Sequence, residues 1–83
     1  MAKPPIEGDG ALRVAGATAE VAYVLQPPAS NGRGGKGSVC GEADHMRAAF
    51  REGRVMLRLD DGRQLPILVT AHTEGGATAY FEY

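Results

Sequence analysis

The chain has 83 residues, with ten acidic and nine basic side chains and a net charge of −1. That is room for one domain around one core, and it is not the basic balance of a generic nucleic-acid binder. The single cysteine, Cys40, excludes an intrachain disulfide and fits a reducing compartment.

The start, Met-Ala-Lys-Pro-Pro, lacks the apolar run of a signal peptide. No stretch approaches the ~20 apolar residues of a membrane span, so a cytoplasmic chain without membrane contact is expected. There is no tryptophan, and Phe50 and Phe81 are the only phenylalanines. The core must rest on Val, Leu and Ile. Modest stability, helped by self-association, is the expectation.

Residues 1–10 hold two prolines and two glycines and read as a flexible N-terminal arm. The domain proper is expected over 11–83. Leu12 and Val14 alternate with Arg13 and Ala15. Beyond Gly16-Ala17, the residues Ala19, Val21, Tyr23 and Leu25 alternate again. A hairpin with Gly16-Ala17 as a type II′ loop puts Leu12 opposite Val21 and all apolar residues on one face.

Residues 26–37, QPPASNGRGGKG, form a long Gly/Pro-rich segment without periodicity. It reads as a flexible loop or a functional one. Ser38-Val39-Cys40 is a short third strand. Glu42 to Glu52 follows helical spacing, with Ala43, Met46, Ala49 and Phe50 on the buried stripe. Gly53 ends the helix with a left-handed residue.

The last thirty residues, 54–83, alternate as three strands. An Asp61-Gly62 two-residue loop would put the two apolar sets on opposite faces. A three-residue loop, Asp60-Asp61-Gly62, sets Leu57 opposite Leu65 and Val55 opposite Ile67, with Gly62 left-handed. The same logic at Thr73-Glu74-Gly75 sets Val69 opposite Ala79 and Ile67 opposite Phe81. Pro66 then aims its missing N–H at the last strand, opposite Glu82. The other face carries Met56, Arg58, Gln64, Pro66, Leu68, Thr70, His72, Thr78, Tyr80 and Glu82, with Leu68 opposite Tyr80. This mixed face is either a wet face partly covered by the arm or a contact surface.

The order β-β-β-α-β-β-β gives an α+β domain. It is a twisted antiparallel sheet or half-open barrel of about six strands, with one helix packed on it. Met46 and Phe50 are expected to cover Leu57, Ile67 and Phe81. In element order the chain resembles the OB-fold, a five-stranded barrel, with one C-terminal strand added.

Chemistry-bearing motifs are sparse. Ser30 to Gly37 resembles a P-loop superficially. The required first glycine is Ser30, however, and Gly37 stands where Ser or Thr must follow Lys36. Arg33 and Lys36 remain as flexible phosphate contacts, or as a solvated linker. Cys40, His45 and His72 lack metal-ligand spacing. A Cys40–His45 nucleophilic pair lacks an orienting group. The simplest reading makes Cys40 a small buried residue and both histidines surface residues. Asp60 and Asp61 are turn carboxylates. Arg47, Arg51, Arg54, Arg58 and Arg63 form a local positive patch diluted by acids.

No catalytic, metal or cofactor site is expected. The first functional expectation is a protein-interaction or self-associating module. It would use a sheet edge or the face of Arg58, Leu68, Tyr80 and His72, with a protein partner or a second copy as occupant. An OB-like single-stranded nucleic-acid binder using Arg33, Lys36, Arg58 and Tyr80 is the alternative. An enzyme with a Cys/His-based site is the third.

Overall fold

The computed structural model describes residues 5–26, 34–73 and 75–83. In chain order the elements are β1 (Ile6–Val14), β2 (Ala17–Gln26), β3 (Lys36–Cys40), α1 (Ala43–Glu52), β4 (Arg54–Arg58), β5 (Gln64–His72) and β6 (Thr78–Glu82). All strand pairs are antiparallel. They close into a barrel in the order β1-β2-β3-β6-β5-β4. The α+β class and the order of elements match the sequence reading. The half-open alternative does not, because β4 returns to β1 through Ala11↔Arg58, Leu12↔Leu57 and Arg13↔Met56. The closed barrel has six strands where the OB-fold has five.

Period-two alternation supplies the interior. Leu12, Val21, Tyr23, Leu25, Val39, Leu57, Ile67, Val69, Ala79 and Phe81 are all buried, and their sequence neighbours point outward. Met46 and Ala49 of α1 join this core. Phe50 does not. It is 45% exposed, and its ring lies 6.3 Å from that of His72 at the rim. The buried side of α1 is centred on Met46 and Ala49 and turned toward His45, whose Nε2 lies 2.8 Å from the Leu12 carbonyl oxygen. That rotation carries Phe50 out of the interface. Gly53 ends the helix at a positive φ of 81°, as expected, but with ψ −70° it lies outside the left-handed helical well, and it donates its N–H to the Ala49 carbonyl.

The first strand starts earlier than the sequence suggests. Ile6 pairs with Leu25, Gly8 with Tyr23 and Gly10 with Val21, so residues 6–10 of the expected arm belong to the sheet. Residues 1–4 lie outside the described residues. The glycines that read as flexible are close-approach positions. A Cβ on Gly8 would lie 2.5 Å from the Tyr23 hydroxyl oxygen. That hydroxyl in turn accepts the Asp60 N–H at 3.2 Å.

The first hairpin turns one residue earlier. Val14 pairs with Ala17 and Leu12 with Ala19, so the loop is Ala15-Gly16. Both residues have positive φ, 50° and 86°, the signature of a type I′ turn rather than II′. The sum of paired numbers changes by two, so the same residues stay inside. Ala15 is the only non-glycine with positive φ among the described residues, and a Cβ is strained there. Asn-Gly is the preferred I′ dipeptide. Ala15→Asn is therefore expected to stabilise the fold by about 0.5–1 kcal/mol, read as a higher urea midpoint at unchanged slope.

The long segment is shorter than expected. β2 runs through Gln26, and β3 starts at Lys36, two residues before Ser38. Arg33 and the rest of 27–33 lie outside the described residues.

The β4–β5 turn has the expected register, with Val55↔Ile67 and Leu57↔Leu65. The Leu59 N–H donates to the Arg63 carbonyl at 2.8 Å, and Gly62 has φ 91°. The Arg63 N–H and Nε–H both reach the Asp61 carboxylate, at 2.9 and 2.7 Å. These contacts, the backbone N–H foremost, hold the Asp61 carboxyl below its usual range.

The β5–β6 register differs from the expected one. Val69 pairs with Phe81 and Leu68 with Glu82. Past an irregularity between Val69 and Ala71, Ala71 pairs with Tyr80 and His72 with Ala79. Val69, not Ile67, therefore faces Phe81. Gly75 keeps its positive φ of 74°. The bulge inserts an extra residue on β5, which a simple three-residue turn cannot anticipate.

Candidate functional site

The strands close into a barrel, although among the described residues Ile6–Gly10 of β1 and Ala17–Val21 of β2 each have one strand neighbour only. Exposed apolar residues gather instead on the outer face of β4, β5 and β6. Antiparallel registers lay it out in rows of side chains about 5 Å apart. One row runs Arg54–Leu68–Glu82–Lys36–Gln26 across five strands. The next, one same-face step toward Gln64, runs Arg13–Met56–Pro66.

The second row stops at Pro66, which has no described β6 partner. Tyr83 continues the β3 register past Glu82, exchanging backbone hydrogen bonds with Gly35 at 2.7 and 2.9 Å. The Tyr83 hydroxyl donates to the Gln26 carbonyl at 2.9 Å. Gln64–Ile67 of β5 have no β6 partner among the described residues. A groove of about 670 Å³ opens there, floored by Met56, Pro66 and Leu68 and flanked by Arg13, Arg54 and Glu82.

Pro66 explains why the gap is tolerated. The hydrogen-bonded Leu59/Arg63 pair sets the alternation along β4–β5, which makes Met56/Pro66 a non-hydrogen-bonded pair. Pro66 therefore turns its missing N–H away from β4, into the groove. It lies past the last β6 partner, since Glu82 is opposite Leu68. A strand added at the gap would meet a residue that cannot donate. The groove is suited to side chains rather than to backbone pairing.

Among the described residues, two of the four exposed large apolar ones fall on this face, Leu68 at 42% and Tyr80 at 49%. Tyr80 sits on β6 one same-face step from Glu82, on the His72 side of the Leu68 row. It is not opposite Leu68, as expected from sequence, because the bulge shifts the register. Among the described residues the ion pairs are Arg47–Asp44 and Arg63–Asp61. Arg13, Arg54 and Glu82 pair with no described residue.

The sequence-selected residues are only partly brought together. Leu68 and Tyr80 share the face. Arg58 is level with Gln64 and Ala11, two same-face steps from the Leu68 row, so Arg54 is the cation beside Leu68. Lys36 is in the row but next to Glu82. His72 is taken up by the β5–β6 turn, with Nε2 3.0 Å from the Gly76 carbonyl oxygen. Arg33 lies outside the described residues. Arg13, Arg54 and Glu82 are the residues the sequence reading missed. Only barrel closure places Arg13 beside Met56.

The possible nucleophile and ligands are scattered. Cys40 is exposed, not buried as the simplest reading has it, because it is the outward residue after Val39. His45 and His72 are half-buried and each is bonded to a backbone carbonyl, so neither is the free surface residue expected. Among the described residues no three His, Cys, Asp or Glu side chains converge as a metal set would require. No described helix is long and apolar enough to cross a membrane. Compared with protein-family models, curated proteins and solved structures, the chain matches none.

Proposed function

We propose that the chain is a non-enzymatic protein-interaction module whose docking face is the outer surface of β4, β5 and β6. The observation that carries this is the pairing of exposed Leu68 and Tyr80 with a groove whose charged rim, Arg13, Arg54 and Glu82, has no partner among the described residues. Interaction sites combine such apolar and aromatic anchors with a polar rim and arginine. Single-stranded nucleic-acid binding has less support. Lys36 lies opposite Glu82, and Tyr80 is the one exposed aromatic on the face, where a stacking platform uses several.

Site-directed photocross-linking in whole cells tests the proposal. With p-benzoylphenylalanine in place of Leu68, a discrete protein adduct is expected. In place of Arg47, on the exposed side of α1, none is expected. Equal labelling at both positions, or no protein adduct at Leu68, would overturn the proposal.

A further inference from the structure

We infer that the occupant of this face is an acidic segment of another protein, a large apolar side chain flanked by carboxylates. The inference rests on the interaction reading above and names the chemistry of the partner. The registers carry it, because they fix which side chains surround the groove floor.

Met56 is the centre of the pattern. Along β4, Arg54 and Arg58 are two residues away in either direction, on the same outward face. Arg13 of β1 and Pro66 of β5 are directly opposite. Three of the four neighbours of Met56 are therefore arginines, each exposed, and the fourth is the proline of the floor. The diagonal positions hold no acid. Ala11 and Ala15 flank Arg13 on β1, and Gln64 and Leu68 flank Pro66 on β5.

The nearest acids do not cancel this charge. Glu82 borders Leu68 from β6, but its partner on the other side is Lys36, so charges of both signs meet at that flank. Glu20 is opposite Ala11, one strand beyond Arg13. Arg63 is already held by Asp61. Among the described residues no ion pair joins Arg13, Arg54 or Arg58 to any acid. A chain of net charge −1 thus gathers three unpaired cations around one half-buried apolar side chain.

That arrangement sets the occupant. The floor of Met56, Pro66 and Leu68 takes a large apolar side chain. Strand geometry puts Arg13 about 5 Å across from Met56 and Arg54 about 7 Å along from it. Guanidinium forks pair best with carboxylates. An acidic residue two positions from the apolar anchor in an extended segment, or three to four in a helix, has matching spacing. A nucleic-acid strand fits less well, because the aliphatic floor offers no flat stacking surface and Glu82 borders its path.

The test is selection of a random peptide library, displayed on phage, against the immobilised full chain. Enriched peptides are expected to be acidic, with carboxylates around a large apolar residue. A labelled synthetic copy of an enriched peptide is then titrated by fluorescence anisotropy. Arg13→Glu and Arg54→Glu are each expected to weaken its binding by about tenfold or more, and added salt to weaken it further. Arg47→Glu, on the exposed side of α1, is expected to leave it unchanged. Thermal melts check that each variant stays folded.

Enrichment of neutral or basic peptides, no enrichment, or binding that ignores both reversals overturns the acidic segment. So does a labelled oligothymidylate that binds as tightly as the peptide and is lost on the same reversals, which makes the occupant a nucleic acid. A Leu68 adduct at twice the chain's own mass overturns it in favour of a second copy. The Leu68 cross-link also separates these failures from failure of the interaction reading. A protein adduct there alongside any of them keeps the docking face and discards its acidic occupant, while no adduct overturns the face itself.

Discussion

Gly10→Ala is expected to open the barrel at its β1–β4 seam and to cost about 3 kcal/mol. A Cβ at this position would lie 2.0 Å from the Arg58 carbonyl oxygen and 3.2 Å from the Tyr23 ring. The first obstacle is backbone, so no rotamer change relieves it, and β1 must move away from β4. The seam it would pry apart is narrow, three residue pairs with Leu12↔Leu57 at the centre, and both leucines are fully buried. Separation therefore admits water to the middle of the core. Against a total of roughly 4–12 kcal/mol for a domain of this size, that is a large fraction. Urea unfolding reads the loss, and amide exchange should quicken first along Ala11–Arg13 and Met56–Arg58. Gly62→Ala is the comparison. Nothing lies within 4 Å of a Cβ there, but φ is 91°. Its cost is conformational, about 1 kcal/mol, and should leave exchange at the seam unchanged.

Which residues face inward was legible in the sequence, because burial imposes a period of two on every strand. Which inward residue faces which was legible only in part. Shifting a register by two keeps the parity, so hydrophobic pattern cannot detect it. Both misplaced registers are of this kind near the core, Leu12 against Ala19 rather than Val21, and Val69 rather than Ile67 against Phe81. The β4–β5 turn came out as expected because Asp60-Asp61-Gly62 satisfies parity and turn chemistry together. At the first hairpin the residue adopting positive φ beside Gly16 is Ala15, a poor candidate by composition. At β5–β6 the bulge is written in no residue type.

The candidate site inherits these limits. Leu68 and Tyr80 were recognisable as outward apolar residues, but their neighbours depend on register and closure. Arg54 replaces Arg58 beside Leu68, and Glu82 replaces Tyr80 opposite it. Arg13 enters the groove only because β1 and β4 meet, a contact between residues some forty positions apart. Gly8 and Gly10 illustrate the converse error. Composition reads them as flexibility, while their missing side chains are what lets Tyr23 and the Arg58 carbonyl come close.

Phe81→Ala is expected to be the most damaging core truncation, at about 3–5 kcal/mol. Phe81 is the largest fully buried side chain and is 1% exposed. It sits between Val69 on β5 and Gly37 on β3, and its ring occupies the space a side chain at position 37 would take. A Cβ on Gly37 would fall 2.5 Å from the Phe81 Cζ and also 2.5 Å from the Val24 carbonyl oxygen. The second distance matters for the variant. Once the ring is removed, β3 still cannot donate volume, because the Val24 backbone blocks any side chain there. The neighbouring strands are fixed in a closed barrel and cannot collapse inward, so the cavity persists and its full penalty applies. With a total stability of roughly 4–12 kcal/mol, the variant should be largely unfolded or melt tens of degrees lower. Phe81→Leu keeps most of the volume and is expected to cost about 1.5 kcal/mol or less. Gly37→Ala on the Phe81→Ala background should give no rescue. Recovery of the melting temperature in that double variant would show that β3 can shift away from Val24, and that closure of the barrel is softer than its registers imply.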